Sequence, residues 1–184
     1  RRTSSAASDV YKRQSHKYDN QNVDSGIISI LNQKNGTNFI WDSIDHVSPD
    51  SSIVPMKEWG MKSNDYFHMN AVRILSDGNY LASARHTQTI MKIDRLSGEI
   101  IWHMGKGSLN NFKFINDPYN GFSHQHAPEE LDNKNILIWD NGIGSIENGS
   151  RVCEYKIDEN KLTATLVWSK EFKDLQANVA GNCY

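Results

Sequence analysis

Residues 67–105 read FHMNAVRILSDGNYLASARHTQTIMKIDRLSGEIIWHMG. Short β-prone runs alternate here with tight turns. Phe67 to Leu75 predicts a strand, Ser76-Asp77-Gly78-Asn79 a turn, and Tyr80 to Ala84 a second strand. Thr89 to Ile93 predicts a third and Glu99 to His103 a fourth, with Asp94-Arg95-Leu96-Ser97-Gly98 turning between them. Four strands joined in this way predict an antiparallel meander, the unit from which a β-propeller blade is built.

The pattern extends in both directions. Downstream, Met91-Lys92-Ile93-Asp94, a turn and Ile100-Ile101-Trp102 are echoed by Tyr155-Lys156-Ile157-Asp158, a turn and Leu166-Val167-Trp168. Upstream, Gly26 to Leu31 predicts a strand, Asn35-Gly36 a hairpin turn, and Thr37 to Trp41 the return strand. Residues 42–66, with Pro49 and Pro55, predict a long loop with short ordered pieces. Trp41, Trp102 and Trp168 are thus spaced by 61 and 66 residues, an internal period that predicts repeated sheets packed through tryptophan. The expected fold is all-β: about three blades of a β-propeller. Closure takes about four blades or more, so the remainder of the ring is expected from a second chain or a missing segment. Residues 1–24, rich in Ser, Asn, Asp, Lys and Arg, predict a polar N-terminal arm or the remnant of an upstream unit, and 25–184 the partial propeller domain.

Composition narrows the function. With 38% hydrophobic and 23% charged residues, the 184-residue chain is globular in character. A net charge of -2 argues against a general nucleic-acid binder. No apolar run is long enough for a membrane-spanning helix. Two sequons, at Asn35 and Asn148, tilt the expected location toward secreted or extracellular/luminal. Cys153 and Cys183 are either one disulfide or two buried thiols.

The residues capable of chemistry fall near the starts and turns of the proposed blades. His68 and Asn70 are two apart and share a strand face. Arg85, followed by His86, ends the next strand. His124 and His126 flank Gln125 at the start of the following unit, and Asn141, in Asp140-Asn141-Gly142, stands where Arg85 stands in the unit before. In a propeller the first strands line the central channel, so His68, Asn70, Arg85 and His126 are expected to converge there. Imidazoles, an amide and a guanidinium suit a small oxyanion such as sulfate or phosphate. The competing reading makes each histidine individually structural. His68, His124 and His126 also match the ligand count of some zinc sites, but without HExxH or CxxC no metal and no cofactor is expected.

Several separated motifs occur together in one order. They are Asp65-Tyr66-Phe67-His68-Met69-Asn70, the run Asp77 to His86, and Ile93-Asp94 with Ser97 to Trp102. Phe122-Ser123-His124-Gln125-His126, Asp140-Asn141-Gly142 and Ser150-Arg151 follow. This order resembles the arylsulfotransferase (ASST-type) family over roughly residues 36–170. The resemblance implies a six-bladed propeller that moves a sulfuryl group from a phenolic sulfate ester to a phenol through a sulfohistidine. It implies His126 as the nucleophile, His68 and Asn70 as the sulfate-binding pair, and Arg85 as a further holder of the sulfate. His124 and Asn141 are expected to help bind substrate. The implied partners are a phenolic sulfate and a phenol acceptor, with no nucleic acid and no membrane. A further histidine upstream and a threonine downstream in the family have no counterpart here. The alternatives are a non-catalytic secreted propeller acting as a binding or structural module, and a sulfate ester hydrolase.

Overall fold

The structure is a computed structural model that describes residues 10–32, 36–54, 64–147, 149–178 and 181. The Asn35 and Asn148 sequons, Pro55 and Cys183 lie outside these residues. The described chain is all-β, with three sheets and two short 3-10 turns at Ser43–Asp45 and Pro49–Ser51. The first sheet contains β1 (Val10–Tyr18), β2 (Gln21–Asn32) and β3 (Gly36–Asp42) in that order. The second contains β4 (Met69–Ile74), β5 (Tyr80–Ala84), β6 (Thr89–Ile93) and β7 (Ile100–Gly105), also in chain order. The third runs β8-β12-β11-β10-β9. It is built from β8 (Lys113–Ile115), β9 (His126–Glu130), β10 (Ile136–Asp140), β11 (Gly149–Asp158) and β12 (Thr163–Lys173). Among the described residues, the pairings between these strands are antiparallel except β8 against β12, and an isolated parallel bridge joins Val23 to Asn64.

The expected meander is present, and β5 and β6 begin and end where the sequence predicts. Both are buried along their whole length because the second sheet is covered on each face. Side chains alternate between two cores, as the two-residue period of a strand demands. Tyr80, Ala82, Met91 and Ile93 join Val23, Ile28, Trp41 and Phe67 of the first core. Leu81, Ile90, Trp102 and Met104 point the other way, into the second core with Phe114, Phe122, Ile138 and Tyr155. Cys153, a free thiol, is fully buried in that core.

The recurrent tryptophans each lie on the last chain-order strand of a sheet. Trp41 and Trp102 are 2% and 3% exposed, and Trp41 Nε1 donates to Gly98 O, in the β6–β7 turn of the next sheet, at 3.0 Å. Trp102 meets Phe112 edge-on at 5.3 Å. Trp168 differs, standing 48% exposed on β12 beside the equally exposed Val167. A charged tie also links two sheets: Lys92 of β6 pairs with Asp77 of its own sheet at 2.8 Å and with Glu159, beyond β11, at 2.6 Å.

The polar stretch before residue 25 is not an unpaired arm from Val10 onward. Its strand β1 pairs with β2 in unbroken register from Val10↔Ser29 to Tyr18↔Gln21. Polar residues suit this hairpin because much of its surface faces water. It is anchored where His16 Nε2 meets Ser25 Oγ at 3.0 Å and Asp42 Oδ2 at 3.1 Å.

Candidate functional site

The site is assembled on the first antiparallel strands of the second and third sheets, β4 and β9. Both are irregular where the expected residues lie. Register along β4–β5 shifts between Met69↔Ala84 and Ala71↔Ser83, leaving Asn70 in the irregularity. Along β9–β10 it shifts between Leu137 and Trp139, and Trp139 pairs with His126. A bulge bends its strand and re-aims a side chain, which is why such features gather beside binding sites. His68, Gln88, His124 and Ala127 also take left-handed backbone, with φ of 49°, 50°, 50° and 47°. This conformation is costly for residues with a Cβ and collects at functional positions.

Asn70 and the His126 strand are joined directly: Asn70 Nδ2 donates to Gln125 O at 2.8 Å. Gln125 is fully buried, and its Nε2 reaches Ser83 Oγ at 3.1 Å, Ala84 O at 3.0 Å and Thr89 O at 2.8 Å. The side chain of Gln125 thus grips the second sheet while its backbone presents His126. Burial lowers the His126 pKa below the ordinary histidine value, and the positive charges of His68, Arg85 and Arg73 act in the same sense. A hydrogen bond to the Gly181 backbone opposes the shift without reversing it. The imidazole is therefore neutral near pH 7, the form with a free lone pair.

His68 is held from two sides. Its backbone N–H donates to Asp65 Oδ1 at 3.0 Å, and its Nδ1 meets Asp65 Oδ2 at 2.5 Å. Burial would raise the Asp65 carboxyl, but the His68 hydrogen bond and the charges of His68, Arg13 and His86 outweigh it and hold the pKa low. His86 packs against His68 with ring centroids 4.5 Å apart and the planes tilted by 35°. Its Nδ1 donates to Asp65 O at 2.6 Å, and its pKa is pushed down to about 4, mainly by burial. Asp65, His68 and His86 each offer a ligand atom within 4.8 Å of the others. Arg13 Nη2 already engages Asp65 Oδ2 at 2.9 Å, so the group is organised as a hydrogen-bonded relay with a cation in place.

Arg85 leaves β5 beside His68, its backbone N–H donating to His68 O at 3.0 Å. Its Nη2 donates to Asn178 O at 2.6 Å, so the segment after β12 passes over the site. Among the described residues, buried Asn70 Oδ1, Arg85 Nε, His126 Nδ1 and both side-chain polar atoms of Asn141 have no hydrogen-bond partner. Such atoms are rare in folded interiors, and here they belong to residues singled out in the sequence.

The expected residues do not all gather equally. His68, Arg85 and His126 share one electrostatic neighbourhood, and Asn70 contacts the residue before His126. His124 turns to the β5–β6 turn, where Gln88 Nε2 approaches its Nδ1 at 3.3 Å. Its pKa falls to about 4 through burial, then through the charges of Arg85 and His86. Asn141 is buried in the β10–β11 turn, its carbonyl accepting from Ser150 Oγ at 3.1 Å.

Support for the His126 loop comes from residues to which the sequence assigned no role. Arg151 is fully buried and binds Asp117, Asp140, Gly121 O and the Tyr155 hydroxyl. Asp140 Oδ1 in turn accepts from the backbone N–H groups of Ser123 at 2.9 Å and Gly142 at 2.8 Å. Asp65 had a legible signal, since an aspartate three residues before a histidine can cap a turn with its side chain. Gln125 had none beyond its place between the two histidines.

No curated protein matches the chain in sequence. Among solved structures, the chain is similar to a protein of unknown function from Bacteroides caccae, at 13% identity and a TM-score of 0.43. That match covers 80% of this chain and 37% of the other, so the chain spans well under half the length of that protein. The sequence profile of the arylsulfotransferase (ASST) family matches residues 4–174, nearly the whole chain and every residue of the site from Asp65 to Arg151. The chain belongs to the arylsulfotransferase family.

Proposed function

We propose that the protein transfers a sulfuryl group from a phenolic sulfate ester to a phenol, with His126 as nucleophile. The observation that carries this reading is a neutral, half-buried His126 tied through Gln125 to Asn70, beside His68 and Arg85, in a chain of this family. A sulfate monoester is a stable anion, and attack at sulfur requires its outer oxygens to be held. Asn70 and the planar donor fork of Arg85 hold them. An imidazole nitrogen of His126 forms the N–S bond as the S–O bond to the aryl group breaks. The electron pair leaves on the phenolic oxygen, which takes a proton from His68, oriented by Asp65. The acceptor phenol then gives its proton back to His68, and its oxygen attacks the sulfohistidine sulfur. The N–S bond breaks and neutral His126 is restored.

In this reading the three sheets are blades of a six-bladed propeller completed by a further segment or a second chain, and the protein is secreted or luminal. The half-exposed Trp168 supports it, because Trp41 and Trp102 at matching places are covered by the next sheet. The test is mass analysis of His126 after incubation of the assembled protein with phenyl sulfate, alongside transfer to a phenol. A covalent sulfate on His126, lost with transfer in His126→Asn, is expected. Full transfer by His126→Asn overturns the nucleophile. Absence of adduct and transfer points to a binding module, and release of free sulfate in place of sulfated phenol to a hydrolase.

A further inference from the structure

Beside the His126 loop lies a cavity of about 580 Å³. Its walls include Gln88 of the β5–β6 turn, Lys106 and Asn110 after β7, Tyr119 and Ser123 before β9, and Ser145 of the β10–β11 turn. The volume falls within the range of small-molecule sites, roughly 300–1,000 Å³. Its charge is one-sided: Lys106 contributes an ammonium, and no Asp or Glu lines it among the described residues. Lys106 Nζ donates to Ser145 Oγ at 2.5 Å, and no ion pair to a described carboxylate accompanies it. The carboxylates whose charge reaches Lys106, Asp117 and Asp140, are both engaged by Arg151.

Ser123 Oγ, Asn110 Nδ2 and the Tyr119 hydroxyl already donate to Ile143 O, Phe112 O and Glu171 Oε1, so the ammonium of Lys106 is the group of the lining that an anion would meet. Burial holds the Lys106 pKa below the ordinary lysine value, with Asp140 and Asp117 acting against that shift and Arg151 with it. A half-buried ammonium of this kind gains most from a partner of opposite charge. The cavity is lined from chain segments next to those of the proposed sulfuryl site. Gln88 lies three residues after Arg85 and touches His124, and Ser123 lies three residues before His126.

We propose that this cavity is an anion subsite centred on Lys106, which receives the carboxylate of a phenolic substrate such as a hydroxybenzoate. The phenolic half of that assignment rests on the proposed sulfuryl transfer, and the anionic half rests on the cavity alone. A flexible lysine supplies a point charge here, with Ser145 fixing its direction.

Calorimetric titration of the purified protein with 4-hydroxybenzoate, with phenol as neutral control, reads the subsite without turnover. The carboxylate is expected to strengthen binding by about ten-fold or more over phenol, the worth of one charged hydrogen bond. Lys106→Met is expected to abolish that preference and Lys106→Arg to retain most of it, with thermal melts confirming that each variant is folded. Equal affinity for the two ligands, or an unchanged preference in Lys106→Met, overturns the subsite. With phenyl sulfate as donor, Lys106→Met is expected to raise KM for 4-hydroxybenzoate and leave KM for phenol unchanged. Lys106-dependent binding without any transfer upholds the subsite and removes the sulfuryl reading. Transfer with Lys106-independent binding removes the subsite alone.

Discussion

Arg151 grips Asp117 with both prongs of its guanidinium, Nη1 to Oδ1 at 2.8 Å and Nη2 to Oδ2 at 3.2 Å, while its Nε holds Asp140 at 2.9 Å. Replacement by methionine leaves two buried carboxylates without their cation. Arg151→Met is expected to cost about 3–5 kcal/mol, the usual penalty for breaking a buried pair from one side. Urea denaturation measures it. A loss below about 1 kcal/mol would mean that the network is dispensable.

Asp65 acts through His68, on which it makes two contacts. Asp65→Asn keeps the shape but replaces an acceptor oxygen by a donor, so the His68 ring loses its fixed orientation. Transfer is expected to fall roughly 10–100-fold in kcat, less than the roughly 10²–10⁴-fold worth of the positioned acid itself, because Asp65 acts only through it. KM for the sulfate donor should move less than kcat, and the pH–rate profile should change shape. Asp65→Glu should recover part of the rate. A uniform fall in both variants with an unchanged pH profile would reduce Asp65 to a structural role.

The acid limb of activity follows from His126. Transfer needs its neutral form, and its pKa lies below the ordinary 6.5, with burial the first cause. Activity should therefore persist as pH falls through 6.5 and decline only in more acidic solution. A kcat/KM profile with a midpoint at or above 6.5 would contradict the assignment. In Arg85→Gln one positive charge that depresses the pKa is gone, so the midpoint of any residual activity should move up.

Stability has its own pH window. His86, His103 and His124 each have a folded pKa near 4, driven down chiefly by burial, against the ordinary histidine value of 6.5. Between these values the unfolded chain binds protons that the folded chain refuses. This stability is full above about pH 6.5, is lost progressively as pH falls toward 4, and changes little from these groups below that. Thermal melts from pH 8 to 4 should show the decline, and His103→Asn should make it shallower. An unchanged slope in that variant would place the acid sensitivity elsewhere.

The meander is legible because Asp-Gly and Ser-Gly turns punctuate its short strands, and β5 and β6 match the sequence reading to the residue. The β1–β2 hairpin has no apolar period to mark it because β1 is polar, and its pairing comes from the backbone ladder with a few anchors such as His16. β8 escaped notice because three residues carry no period, and its parallel partner lies about fifty residues away. His68, Asn70, Arg85 and His126 were found by residue type and order. The irregularities that aim Asn70 and His126 leave no mark in composition, because they arise from pairing with the neighbouring strand. Gln125 shows the same limit, since its three contacts are made to another sheet.

The hydrogen bond from Asn70 to Gln125 places the proposed site across a joint between two independently hydrogen-bonded sheets. Such a centre works as a strain gauge. Sliding one sheet past its neighbour by about an ångström can cost 10²-fold in rate while every strand stays intact. Heat or mild denaturant should therefore silence the protein before its β-signal fades. Fasteners outside the proposed site, such as Lys92–Glu159, become part of what keeps it tuned.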